Sequence, residues 1–295
     1  SLNMDIHSFN SLQHIFISSA YMYHLISDIK RDYTNNKYGL IPLGYDLVKK
    51  YKKSDTLFIL GSGSTINKIS DKQWGKIDDH DSIGFNFWLV HDFVPDFFKF
   101  ELDLSGESNR TDLFLKILDE KWQKYKKKLI IYNHHNSTEK VPDIVLSKLV
   151  KKNIYYPNYI NLPGKNIDSL KKSIKYFKII EKYFFNNSVL FSKRSSLITI
   201  ISMALLFGYK KIVLCGVDLN NTKYFYEDEY YLNKYPNLNS GQPGSVHMSF
   251  DENLNPLTID KIILSINRMM IQNVEKKLFV FNKSSALYPE LPIFN

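Results

Sequence analysis

"TLFILGSGSTINKIS", Thr56 to Ser70, is an apolar run that breaks into Gly61, Ser62, Gly63, Ser64 and Thr65. Leu57 to Leu60 have the continuous hydrophobicity of a strand buried on both faces, as in a parallel sheet. Two glycines followed by hydroxyl side chains able to cap a helix mark a tight turn into a helix start. Such a turn exposes backbone N–H groups at the positive end of a helix dipole, a setting suited to phosphate or another polar part of a nucleotide. Two familiar phosphate loops do not fit. The dinucleotide fingerprint would need a small residue at Ile66 and an acidic residue ending the second strand about 20 residues on. A P-loop would need Gly-Lys-Ser/Thr after four spacers. The same residues also suit a plain strand-to-helix turn of an α/β domain, so the rest of the chain must decide.

From Thr56 onward, strand and helix patterns alternate. "DSIGFNFWLV" and "PDFFKFEL" read as strands, "NRTDLFLKILDEKWQKY" as a helix and "KKLIIYN" as another strand, the rhythm of βαβ units in a parallel sheet. Val141 to Asn187 is rich in Lys and Tyr, punctuated by Pro142, Pro157 and Pro163, and reads as mostly helical or irregular. "SSLITIISMALLFGYKKIVLCGVDL" then gives an apolar helix ending at Gly208, a buried strand from Ile212 to Cys215, and a turn at Gly216 to Asp218. Asn220 to Phe250 is long, polar and aromatic without regular periodicity, and a long irregular connection of this kind reads as a functional lid. Ile259, Ile262, Ile263, Ile266, Met269, Met270 and Val274 share a helical face, and "KLFVFN" closes with a strand. Residues 1–55 form a separate reading, an N-terminal helical addition ahead of a domain over 56–295.

With 295 residues and 44% hydrophobic content the chain can bury a substantial core. No apolar run approaches the roughly 20 residues of a membrane span, and "SLNMDIHSFN" lacks a basic-then-apolar signal pattern, so a cytoplasmic place is expected. Cys215 is the sole cysteine, which removes intramolecular disulfides and argues against a cysteine zinc site. The 39 Lys and Arg against 30 Asp and Glu give +9. That charge suits nucleic acid, an anionic membrane face or an acidic substrate equally. It also follows from a Lys-, Asn- and Ile-rich composition, so charge selects no partner. "KKYKKSD" and "KWQKYKKK" read chiefly as solvated helix faces, with membrane-surface attraction as the alternative.

Four stretches together resemble the bacterial lipooligosaccharide sialyltransferases that use CMP-sialic acid, glycosyltransferase family forty-two. They are the Gly61 to Thr65 turn, "GFNFW", the long "SSLITIISMALLFGYKKIVLCGVDL", and "SVHMSFD" with "LFVFNKSSALYPELP". The match runs in order over most of Thr56 to Pro292. It departs at Ser62 and Ser64-Thr65, where the family has Asn and Pro-Ser, near Glu101, where an asparagine is expected, and at Asn220, where one of two donor-phosphate tyrosines is expected. The other tyrosine is matched by Tyr226.

The resemblance implies a Rossmann-like, mostly parallel sheet flanked by helices, a GT-A-like variant. It implies a nucleotide site where Gly61, Ser62, Gly63, Ser64, Thr65, Asn86, Ser195, Ser196, Gly216, Asp218 and Asn220 meet the CMP donor, which is a substrate, with no cofactor and no metal. Ser195 and Ser196 open a helix and also suit ordinary capping. Tyr226 implies a hydroxyl that stabilises charge developing on phosphate, and His247 a neutral imidazole that takes the acceptor's proton. The implied partners are a CMP-activated acidic sugar and a glycan acceptor of lipooligosaccharide or capsule type, not nucleic acid. Peripheral contact with the inner membrane and self-association stay open. A metal alternative rests on Asp78, Asp79 and Asp81, or on Glu101 and Asp103, which follows a strand and so is better placed. His134 and His135 read as loop residues near an acceptor. A noncatalytic nucleotide- or glycan-binding module would keep Gly61 to Thr65 without needing His247.

Overall fold

The computed structural model describes residues 40–102, 108–134, 154–181, 189–220, 223–238, 252, 256–271 and 276–295. In chain order its elements are β1 (Ile41–Pro42), α1 (Tyr45–Tyr51), β2 (Thr56–Leu60), α2 (Asp71–Asp78), β3 (Asp81–Phe85), β4 (Phe97–Leu102), α3 (Ser108–Tyr125), β5 (Leu129–His134) and β6 (Ile154–Tyr156). Next come β7 (Tyr159–Asn161), α4 (Ile167–Ile180), β8 (Leu190–Ser192), α5 (Ser196–Leu206), β9 (Lys211–Cys215), α6 (Glu229–Lys234), α7 (Ile259–Ile266) and β10 (Lys277–Val280).

Eight strands form one sheet in the order β1-β6-β5-β4-β3-β2-β9-β10, and every neighbouring pair is parallel. The expected Rossmann-like α/β architecture is therefore observed. Side chains alternate between two cores. Leu57 and Ile59 face the layer of α1, α4, α5 and α7, while Phe58 and Leu60 face α2, α3 and the aromatic segment from Phe225 to Leu238. Burial on both faces is why the strand reads as an unbroken apolar run. Cys215 is buried at the end of β9.

From β2 the chain steps outward through β3, β4, β5 and β6, then resumes at β9 on the other side of β2. The switch point thus lies between β2 and β9, and ligands of open α/β sheets bind outside the carboxyl ends of the strands at such a point. A separate two-stranded parallel pair, β7 with β8, leads through Lys193 and Arg194 into α5.

The opposite, amino end of the sheet is closed by a polar network. Asp81, fully buried at the start of β3, accepts from the backbone N–H of Lys53 (3.0 Å) and of Ser54 (3.1 Å) and from the Tyr209 hydroxyl (2.9 Å). Nearby Asp96 pairs with Lys53 at 3.0 Å and Lys128 at 3.2 Å. Asp81 is thus occupied at the amino end of the sheet, away from its carboxyl edge.

Three segments differ from the sequence reading. Within Val141 to Asn187 lie β6 and β7, three residues each around Pro157, too short for a periodicity to register. The sheet's outer edge comes from Ile41–Pro42, ahead of residue 56, and α1 buries Val48 in the core; residues 1–39 of the proposed N-terminal addition are outside the described residues. Of the lid, residues 223–238 are folded: two 3-10 turns, Phe225–Glu227 and Pro236–Leu238, flank α6, and Phe225, Tyr226, Tyr231, Tyr235 and Leu238 are buried. Their aromatic rings pack on Trp88 and His91, a tertiary platform that no local period encodes. Residues 221–222 and 239–251 lie outside the described residues. Among the described residues, no helix is long and apolar enough to cross a membrane.

Candidate functional site

A cavity of about 520 Å³ opens at the carboxyl ends of β2, β3, β4, β5 and β9. It gathers Gly61, Ser62, Gly63, Asn86, Ser195, Ser196, Gly216, Asp218 and Tyr226 from the residues singled out in the sequence. Ser64, Thr65 and Asn220 do not line it. Asn220 is exposed and donates to the Ser284 carbonyl at 2.9 Å. His247, His135 and Asp103 lie outside the described residues.

The glycine-rich turn holds another part of the protein. Gly61 N–H donates to the Cys215 carbonyl (2.7 Å), Gly63 N–H to the Gly216 carbonyl (2.7 Å), and Ser64 N–H to the Lys223 carbonyl (3.0 Å). The chain then enters a short 3-10 turn, Ser64–Lys68, whose first free donors are taken by a carboxylate: Asp218 accepts from Thr65 N–H (3.1 Å) and from the Thr65 hydroxyl (2.5 Å). The anion at this positive end is therefore the protein's own. A Cβ on Gly61 would lie 2.5 Å from the Gly216 oxygen and one on Gly63 would lie 2.4 Å from Asp218 Oδ2, so both glycines permit the loops after β2 and β9 to touch. Ser62 remains as the turn residue whose N–H no described residue takes, and it lines the cavity.

Backbone strain concentrates here. The non-glycine residues with positive φ among those described are Asn86 (53°), Arg194 (63°) and Leu219 (63°), and all three line the cavity. Conformations of that kind cost of order 1–3 kcal/mol each and cluster at ligand sites and switch regions. Arg194 donates through Nη1 to the Leu257 carbonyl at 2.9 Å and brings positive charge to the wall, with Lys223 also present.

The far end of the cavity is built around Glu101 at the end of β4. Its carboxylate is paired with the fully buried Lys99 ammonium. It also accepts from Asn133 Nδ2 (2.9 Å) and from the Ser196 hydroxyl (2.6 Å), while its backbone N–H donates to Asn86 Oδ1 (3.2 Å). Burial pushes the carboxyl up, but the charge of Lys99 and the hydrogen bonds from Lys99, Ser196 and Asn133 outweigh it and hold the group at about 2. Two buried polar atoms on residues that line the cavity have no hydrogen-bond partner: Asn133 Oδ1, on a residue 3% exposed, and Ser195 Oγ. Buried polar atoms in folded proteins are almost always paired, which sets these two apart from the satisfied groups around Glu101.

Tyr226 is buried, stacks on Tyr224 with ring centroids 5.1 Å apart, and reaches the cavity wall. His91 is a core histidine, stacked on Trp88 at 4.5 Å; burial lowers it to about 4. Among the described residues no three His, Cys, Asp or Glu side chains are grouped to hold a metal ion. Arg194 and Asn133 were not singled out in the sequence. The available signals were an arginine, one of four in a Lys-rich chain, directly before Ser195-Ser196, and an amide ending the apolar run "LIIY".

No protein-family model and no curated protein sequence matches the chain. The chain is similar to solved structures, two of them as follows. One is the monofunctional alpha-2,3-sialyltransferase Cst-I from Campylobacter jejuni, 16% identical with a TM-score of 0.45 over 81% of this chain and 80% of that one. The other is an alpha-2,3-sialyltransferase from Campylobacter jejuni in apo form, 14% identical with a TM-score of 0.42 over 82% and 80%. At this degree of likeness the site stands on its own geometry.

Proposed function

We propose that the chain is a glycosyltransferase that takes sialic acid, or a related nine-carbon acidic sugar, from a CMP donor and passes it with inversion, without a metal ion, to a lipooligosaccharide or capsule glycan. The observation that carries this reading is the gathering of three of the four sequence stretches whose order resembles the sialyltransferases, the Gly61 to Thr65 turn, "GFNFW" and "SSLITIISMALLFGYKKIVLCGVDL", around one cavity at the switch point of the sheet. The strained Asn86 and Arg194 on its walls support a site shaped for a ligand. The pairing of Glu101 with Lys99 favours the metal-free form, because that carboxylate is already neutralised by a buried cation.

In the proposed step the acceptor oxygen bonds to the anomeric carbon as that carbon's bond to the phosphate oxygen breaks. The acceptor's proton passes to His247, and the electron pair leaves with CMP. Tyr226 donates its hydroxyl toward the departing phosphate, and Arg194 adds positive charge nearby. A cytoplasmic place beside the inner membrane fits the acceptor class.

Mass spectrometry of products from a panel of CMP- and UDP-sugars, with and without EDTA, tests this. Transfer from a CMP-sugar that survives EDTA is expected. Transfer from a UDP-sugar alone, restored by Mn²⁺ or Mg²⁺ after chelation, would overturn it. His247→Ala should reduce transfer about 10²- to 10⁴-fold while CMP still binds.

A further inference from the structure

Glu101 dictates which way its neighbours can hydrogen-bond. Ser196 and Asn133 are each able to donate and to accept. The Ser196 proton goes to Glu101 Oε2, and the Asn133 amide N–H goes to Glu101 Oε1. The Ser196 hydroxyl has spent its one proton and Asn133 one of its two amide N–H groups, so the oxygen lone pairs of both side chains remain on offer. Asn133 Oδ1 has no partner, and turning the amide over would set that oxygen against the carboxylate and leave Glu101 short of a donor. Lys99 is fully buried and engaged by Glu101. Asn86 is held in the opposite sense: its Oδ1 accepts from the Glu101 N–H, which leaves its amide nitrogen as the end able to donate. The two amides are thus held in opposite senses by Glu101, Asn86 through its oxygen and Asn133 through its nitrogen.

We propose that the β4–β5 end of the cavity is a subsite for an uncharged group that donates hydrogen bonds, a hydroxyl or an amine, and that Glu101 creates this preference by holding Asn133 and Ser196 as acceptors. The inference rests on the nucleotide-sugar reading and sharpens it, since an acidic sugar would turn O–H or N–H groups to this end and keep its carboxylate away from it. Glu101 is a positioning residue here, acting through its two neighbours. A CMP-sugar carries the required chemistry in two places, the exocyclic amine of cytosine and the hydroxyls of the sugar.

Calorimetric binding of CMP, UMP, CMP-sialic acid and CMP-sialic acid analogues each lacking one hydroxyl separates these sources. UMP binding about tenfold more weakly than CMP identifies the amine; one deoxy analogue binding about tenfold more weakly identifies a sugar hydroxyl. Because Glu101→Gln alone strands the buried Lys99 charge, the companion protein is the double variant Lys99→Met/Glu101→Gln, with Ser196→Ala as a second probe. In the double variant the discrimination should shrink to about twofold or less, because Asn133 is free to turn. Equal binding across the panel, or discrimination unchanged in the double variant, overturns the inference while CMP binding leaves the functional reading standing. Binding of none of these nucleotides overturns both.

Discussion

Asp81, fully buried, and Glu101, its side chain 12% exposed, are carboxylates on neighbouring strands, one at the amino end of the sheet and one at the carboxyl end, and they answer desolvation in opposite ways. Asp81 is surrounded by neutral donors, two backbone N–H groups and the Tyr209 hydroxyl, and burial wins: its carboxyl is raised above the ordinary range. Glu101 has the Lys99 ammonium against it and is held at about 2. The difference extends beyond charge. At the amino end two backbone N–H groups and the Tyr209 hydroxyl close on Asp81, and Lys53 and Lys128 close on nearby Asp96. At the carboxyl end Glu101 takes the Ser196 proton and one Asn133 amide N–H, and the buried Asn133 Oδ1 is left unmatched on a residue that lines the cavity. One carboxylate closes the amino end of the fold, and the other lines the cavity at the carboxyl end.

The largest expected effect breaks the cavity-end pair. Lys99→Met leaves Glu101 buried without its counter-charge and should cost about 3–5 kcal/mol in denaturant unfolding, most of which returns in Lys99→Met/Glu101→Gln. A loss below about 1 kcal/mol would mean that the pair does not hold the carboxylate ionised. Next comes the loop contact on which the cavity rests. Gly216 has φ +63°, and a Cβ there would lie 2.5 Å from Ile66 Cγ1, so Gly216→Ala adds backbone strain to an overlap and should cost about 2–4 kcal/mol. Near-native stability would show that the loops after β2 and β9 can part. At the amino end Tyr209→Phe removes one neutral donor and leaves Asp81 two backbone N–H groups, for about 1 kcal/mol. A loss as large as that of Lys99→Met would erase the contrast between the two ends.

How far the sequence exposes each end depends on the physics that made it. The strands around the switch point were legible because burial on both faces writes a continuous apolar run, as at Leu57 to Leu60 and Ile212 to Cys215. The helix of α5 and its stop were legible because Gly208 takes φ +73° just past its end. The convergence of Asn86, Ser196 and Gly216 on one edge comes from parallel topology, which the βαβ rhythm announces. What Glu101 does was not legible, since a Lys two residues away on the same strand reads as a solvated pair until the sheet buries it. The lysine-rich runs do present mostly exposed side chains, Lys49, Lys50, Lys53, Lys124, Lys126 and Lys127, but not throughout. Lys52 donates to the Phe207 and Gly208 carbonyls, and Lys121, lowered by burial to about 8, donates to the Val90 and His91 carbonyls. Part of the chain's positive charge is thus spent closing helix ends inside the molecule. The short strands β6 and β7 and the aromatic packing of Phe225 to Leu238 depend on partners distant in sequence, which no local pattern carries.

The smallest expected effect is a slope, and its sign separates the two carboxylates. Glu101 sits below its ordinary 4.5, so the stability it contributes is present above that value and is lost as the pH falls toward about 2. The advantage of the wild type over Lys99→Met/Glu101→Gln should therefore shrink on acidification through that window. Asp81 sits above its ordinary 3.8, so its contribution is fully present below that value and is lost as the pH rises through its folded value. The wild type should accordingly gain on Asp81→Asn as the medium is acidified. Neither slope can exceed about 1.4 kcal/mol per pH unit for one proton, so both call for paired denaturation curves at closely spaced pH. Slopes of the same sign would mean that Asp81 and Glu101 meet the same environment, and the polarity assigned to the cavity's far end would lose its source.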